Sequence, residues 1–226
     1  MPRLLLLFIL FSLTQLPELN SQVKSADPIQ TFWSWFRQNE KRLRNFEEDP
    51  DIYLGEMLAR LRKIQDGLVI ELEPAKNGVI SMTISADGDR NLFEMVKAVV
   101  AKAPKISGWQ IFAFRQRVGP EKVKDLKLTV GDEVLDPGQM KFFPVMDGDS
   151  LDLIIYVKGV TDDNYLKVAY AGLLLLDNIL GEYDCVMKVR SFDFHDMPVK
   201  KEELLDLQPL TGLPAFVDEF HRKKKN

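Results

Sequence analysis

Val79 to Ser85 alternates strictly, with Ile80, Met82 and Ile84 on one side and Val79, Ser81 and Thr83 on the other. That period of two belongs to a strand with one buried face. Asp87-Gly88 breaks it. From Arg90 to Ala103 the period lengthens: Asn91, Glu94, Lys97 and Lys102 share a polar side, while Leu92, Phe93, Val96, Val99 and Val100 form an apolar stripe. The spacing predicts an amphipathic helix, which Pro104 stops. The aromatic-rich run Trp109 to Val118 reads as a second strand, buried on much of both faces. A connection this long, carrying a helix, lets the two strands run parallel through a right-handed crossover.

Upstream, Asp27-Pro28 and Asp49-Pro50 each pair a capping carboxylate with a proline suited to the first helical position. They predict helices from Pro28 to about Glu47 and from Pro50 to Asp66, with Gly67 as the second C-terminal cap. The second helix has an ordinary stripe of Leu54, Met57, Leu58, Leu61 and Ile64. In the first, Phe32, Trp35, Phe36, Leu43 and Phe46 share their face with Asn39 and Glu40, so a carboxylate there needs a partner. Leu68 to Glu73 alternates, and Asn77-Gly78 predicts a tight hairpin.

The later half repeats the same vocabulary. Short extended pieces are predicted at Leu126 to Val130 and Met140 to Val145, and Asp147-Gly148 turns the chain into a strand at Leu151 to Val157. A helix from about Asp163 to Leu180 is apolar nearly all round at its centre, which predicts cover on more than one side. Gly181 ends it, and Tyr183 to Phe192 reads as a returning strand. Short helices follow near Lys201 to Leu207 and Pro214 to Arg222. The two halves share strand, helix, strand order without a residue-by-residue repeat.

The fold class expected is α+β: an N-terminal helical hairpin packed on a mixed sheet built from two strand-helix-strand units. Three segments result: 1–25, a 27–66 helical hairpin, and a 67–226 α/β sheet region packed with the hairpin as one unit. In the first, Arg3 followed by apolar Leu4 to Leu13 has the pattern of a signal peptide and is too short to span a bilayer. An exported or periplasmic protein is expected if the segment is a true signal peptide. A start codon assigned too early is the rival reading, and it leaves the protein in the cytoplasm. A membrane enters only through an uncleaved N-terminal segment.

The chain has 46% hydrophobic residues, ample for a packed core, and a formal charge of -4, which argues against phosphate-driven nucleic-acid binding. The basic Arg222 to Lys225 tail reads as a solvated terminus. One cysteine, Cys185, permits no internal disulfide, and two histidines permit no histidine-rich metal site. No phosphate loop, dinucleotide fingerprint, HExxH or GxSxG pattern occurs. Cys185 with His195 reads first as buried filler and only second as thiol and base. Asp147, Asp149 and Asp152 miss calcium-loop spacing, and Asp193, His195 and Asp196 form a mixed cluster after a strand. Asp87, Gly88 and Asp89 resemble an anion site at a helix N-terminus, but the acidic caps satisfy such amides themselves.

The candidate polar residues are therefore Asn39, Glu40, Arg115 (with Arg117 as its alternative), Glu182 and His195. A Glu40–Arg115 pair would fix the docking angle of the helical unit on the sheet. No catalytic residue, metal ligand or cofactor site is assigned.

The motifs Phe32-Trp33-Ser34-Trp35-Phe36 with Asn39-Glu40, Ile84-Ser85-Ala86-Asp87-Gly88, Ala103-Pro104 with Gly108-Trp109, Ala113-Phe114-Arg115 and Leu180-Gly181-Glu182 resemble the pattern of a family of uncharacterised bacterial proteins. The resemblance covers most of the chain after residue 30 and implies a shared fold, without a reaction or cofactor. The function expected is a non-enzymatic module binding a protein or a small molecule. The alternative is a hydrolase-like enzyme using carboxylates, with or without a metal, near Asp193 and His195.

Overall fold

The computed structural model describes residues 27–223. The signal-like segment and the end of the basic tail lie outside the described residues. Asp27 caps α1 (Pro28–Leu43), its Oδ1 accepting from the Ile29 amide at 3.0 Å, and Asp49 caps α2 (Pro50–Leu61) by accepting from Ile52 at 3.2 Å. Both helices end earlier than the sequence spacing predicts. Their last turns tighten into shorter loops, with Asn45 N donating to Arg42 O at 3.1 Å and Lys63 N to Arg60 O at 3.2 Å. Such three-residue bonds close a helix instead of extending it.

β1 (Val69–Lys76) and β2 (Val79–Ser85) pair antiparallel around Asn77 and Gly78, whose φ values of 54° and 78° are what a two-residue hairpin of this hand requires. The chain crosses through α3 (Phe93–Ala101) to β3 (Trp109–Ala113), which lies parallel beside β2 with Ile80 opposite Trp109. Ile80, Met82 and Ile84 are buried with Phe32, Phe36 and Leu43 of α1, Met57 and Leu61 of α2, and Phe93, Val96 and Val99 of α3. The Trp33 indole donates to Val99 O at 2.8 Å, tying α1 to α3. Each large side chain covered in this way contributes about 1.5–3 kcal/mol.

β3 stops well short of Val118. Phe114 takes a left-handed conformation, φ 68°, and its amide donates to Ile84 O at 2.9 Å. That kink ends the strand and sends Arg115 sideways out of the sheet.

After a short hairpin of β4 (Leu128–Val130) and β5 (Glu133–Leu135), the plan recurs. β6 (Lys141–Asp147) pairs antiparallel with β7 (Ser150–Val157); α4 (Tyr165–Leu180) and α5 (Glu182–Lys188) follow; β8 (Ser191–Asp196) returns parallel to β7. α6 (Lys201–Leu204), the short β9 (Gln208–Pro209) beside β6, and α7 (Leu213–Lys223) complete the chain. The architecture is α+β, and each unit of hairpin, helix and parallel strand builds its own mixed sheet, ordered β1-β2-β3 and β8-β7-β6-β9. The packing likewise forms two cores. The second gathers Phe142, Leu151, Leu153, Ile155, Val168, Leu175, Leu176, Ile179, Leu213 and Val217.

The stretch expected as a strand from Tyr183 is α5 instead, with the strand beginning at Ser191. Gly181 at φ 80° breaks α4 and its carbonyl accepts from Cys185 N at 2.9 Å, so the chain restarts as a helix with Glu182 and Cys185 buried on one face. α4 is covered all round only in its later half: Leu166, Tyr170 and Leu173 are exposed at helical spacing. No helix of the described residues is long and apolar enough to cross a membrane.

Gly172 is where α4 meets β8. A Cβ added there would lie 2.1 Å from Phe194 Cε1, and the Phe194 ring is buried. Gly172→Ala is therefore expected to destabilise the protein by about 1–3 kcal/mol in urea unfolding, by overpacking. The same change in an exposed helix would stabilise by about 1 kcal/mol, so the sign identifies the contact.

Candidate functional site

Three of the sequence motifs converge where the two units meet. Glu182 opens α5, is fully buried, and turns its carboxylate toward the first unit. Its Oε1 accepts from the amides of Ala86 at 2.9 Å and Gly88 at 3.3 Å, and its Oε2 from that of Arg115 at 3.1 Å. In return the Glu182 amide donates to Arg115 O at 3.0 Å. The Ala86–Gly88 turn resembles an anion-binding loop because its amides face an anion, and that anion is a side chain of the second unit.

Arg115, 8% exposed, is the matching cation. Its Nε donates to Glu71 at 2.6 Å, Nη2 to Asp87 at 2.8 Å and Nη1 to Asp177 at 3.1 Å, so one guanidinium joins β1, the turn after β2 and α4. Burial opposes its charge, but Glu71 and Asp87 outweigh it and hold the group ionised beyond its ordinary range. Asp177 fares differently. Burial, reinforced by the charge of Glu182, pushes its carboxyl up to about 6 although Arg115 pulls the other way. Buried Cys185 hydrogen-bonds Asp177, and burial together with Asp177 pushes the thiol up, away from the thiolate a nucleophile needs.

Further contacts stiffen the seam. Tyr183 packs on Phe93 and Phe114 at ring separations of 5.7 and 5.4 Å. Arg117 donates to Leu180 O at 3.1 Å and grips Asp218 of α7 with two bonds, at 2.7 and 3.2 Å.

Beside these groups a cleft of about 300 Å³ opens between the units. Tyr170, Leu173, Val186, Val189 and Phe192 form its apolar wall, and Asp87, Gly88 and Asp177 its polar end. At the other rim Arg190 is already held, by Asp152 at 2.5 Å and Asp147 at 3.2 Å.

Of the five candidate residues, the seam joins Arg115 and Glu182, and the bond runs from the arginine's amide to the glutamate. The Glu40–Arg115 pair does not form. Glu40 accepts from Arg44 at 2.9 Å and from the Trp109 indole at 3.4 Å, because α1 lies against the start of β3 while Arg115 follows its end. Asn39 donates to Trp35 O at 2.8 Å, a bond within its own helix. His195 is exposed on β8, 2.8 Å from Asp193, with Tyr165 donating to the same carboxylate. Among the described residues no group of three metal-ligating side chains gathers there or elsewhere. Arg190 pairs with Asp147 and Asp152 of the acidic turn, and its hydrogen bond holds the Asp152 carboxyl down at about 2.

The sequence reading does not reach Glu71 or Asp177. For Asp177 a signal existed: it is the lone carboxylate in the apolar run from Ala171 to Leu180. Such a charge must find a partner. Comparison with protein-family models, with curated proteins and with solved structures gave no match.

Glu182→Ala should destabilise the fold by about 3–5 kcal/mol, since it strands two buried amide donors and a third that is part-buried. Hydrogen exchange should accelerate first at the Ala86, Gly88 and Arg115 amides. Asp177 has the opposite leverage. Its folded value of about 6 lies above the ordinary 3.8, so the folded state binds the extra proton and loses stability as pH rises through that window. Against Asp177→Asn, the parent should therefore lose melting temperature between about pH 4 and pH 7.

Proposed function

We propose that this protein is a non-enzymatic binding module whose seam cleft receives a small ligand with an apolar body and a cationic head. The observation that carries the reading is the surplus of acid at one end of an apolar cleft. Arg115 is surrounded by Glu71, Asp87 and Asp177, with Glu182 on its own amide, so one guanidinium faces four carboxylates, two of which line the cleft, while Arg190 at its rim is held by Asp147 and Asp152. Asp87, with a side chain 41% exposed, and Asp177 both line the cleft, where an ammonium could share their oxygens. The apolar wall would take the rest of the ligand, as in most small-molecule sites. Cys185 is held as a thiol, and His195 is bonded elsewhere, so the cysteine and histidine do not combine as nucleophile and base.

A carboxylate-dependent enzyme is the second reading. One observation favours it: the Asp177 carboxyl, pushed up to about 6, lines the cleft. Turnover abolished by Asp177→Asn with binding retained would support that reading over the first.

The test uses phenethylamine as probe, followed by calorimetry and thermal shift. Saturable binding is expected, and it should vanish in Leu173→Arg, which places a cation at an exposed wall position without disturbing either core. Absence of amine binding, or amine binding indifferent to Leu173→Arg, would refute the assignment.

A further inference from the structure

A second cavity, also about 300 Å³, lies between the first two helices, remote from the seam. Pro28, Thr31, Phe32 and Trp35 come from α1; Arg60 comes from the last turn of α2 and Lys63 from the turn after it. Its chemistry is the reverse of the seam cleft. The wall is mostly aromatic and aliphatic carbon, and the charged groups lining it are both cations. In a chain of net charge -4, a cavity whose only charged lining residues are cations runs against the overall balance.

Arg60 supplies an independent observation. Its guanidinium carbon sits 4.3 Å from the centre of the Trp35 ring, and Nη2 reaches Glu56 only at 3.5 Å. Its Nε is the one buried side-chain nitrogen or oxygen among the described residues with no hydrogen-bond partner. A donor left without an acceptor in a folded protein is destabilising, and native structures leave few. Its position over the Trp35 ring, a cation–π contact, holds the guanidinium in place. Lys63, exposed three residues further along, adds a second positive charge at the same opening.

We propose that this cavity is a second binding site, for a small ligand with an apolar body and a carboxylate head. Arg60 and Lys63 receive the carboxylate, while Phe32 and Trp35 pack against the body. A carboxylate suits the two cations because it accepts on both oxygens and matches the guanidinium edge. A neutral oxygen can accept a hydrogen bond but leaves both positive charges unanswered.

Decanoate, below its micelle concentration, is the probe for calorimetric titration of the full chain, with decyltrimethylammonium and decanol as matched controls. One saturable site is expected for decanoate and none for the cation, with decanol at least about tenfold weaker. Arg60→Gln should weaken decanoate about tenfold or more, the equivalent of one charge-assisted hydrogen bond. Lys63→Gln, an exposed change that leaves the fold untouched, should weaken it less, by about threefold, and keeps the test valid if Arg60→Gln unfolds. Asp87→Asn, at the seam, should leave decanoate affinity unchanged, which separates this site from the first. No saturable decanoate binding, equal binding of the cationic control, or affinity unmoved in a folded Arg60→Gln protein would overturn the proposal.

Discussion

A fully buried glutamate with three amide donors governs how the two halves of this protein sit together. Glu182 reaches from the start of α5 into the turn after β2 and the residue after the Phe114 kink, and its own amide closes the loop back to Arg115. A carboxylate so far from water is tolerated only where its oxygens are met, which makes the contact intolerant of rotation or slip. The seam is therefore specified by direction as well as by area. The apolar cores lie to either side of it, bridged by Val186 against the first core and by Tyr183 on Phe93 and Phe114.

Arg115 depends on that lock. Because the Phe114 kink takes it out of the sheet, its guanidinium can collect carboxylates from three different elements. The strongest claims on it belong to Glu71 and Asp87, and Asp177 is left with burial and the nearby Glu182 charge dominating its protonation. Burial disfavours the charged form of a carboxyl, and at Asp177 it outweighs the pull of the arginine beside it. The network also leaves the cleft with an acidic end and an apolar wall, the arrangement on which the proposed ligand chemistry rests.

Local devices in the chain were legible wherever their cause was local. Asp27-Pro28, Asp49-Pro50 and Asn77-Gly78 act as caps and hairpin because the interaction involves residues two or three apart. Ile80, Met82 and Ile84 are buried together as their alternation predicts. The strand reading misled from Tyr183 to Lys188, where the left-handed Gly181 restarted a helix, and at Phe114, where a non-glycine residue took a conformation that composition gives no reason to expect. Arg115 and Glu182 stood out singly as charges among apolar neighbours. Their pairing did not, because Asp177, itself a lone carboxylate in an apolar run, and Glu71 are separated from Arg115 by 62 and 44 residues.

The amino-acid sequence alone determined the helices, hairpins and apolar faces, and therefore the α+β class, since these follow from periodicity and from short-range hydrogen bonding. Only the tertiary structure decided that the units form separate sheets, that Glu182 serves as the anion for the Ala86–Gly88 turn, that Glu40 belongs to Arg44 and Trp109, and that two cavities of opposite charge lie on one chain. The physical reason is that a buried charge announces its need for a partner in the sequence, whereas the choice among partners depends on distance and burial. Those quantities exist only once the chain has folded.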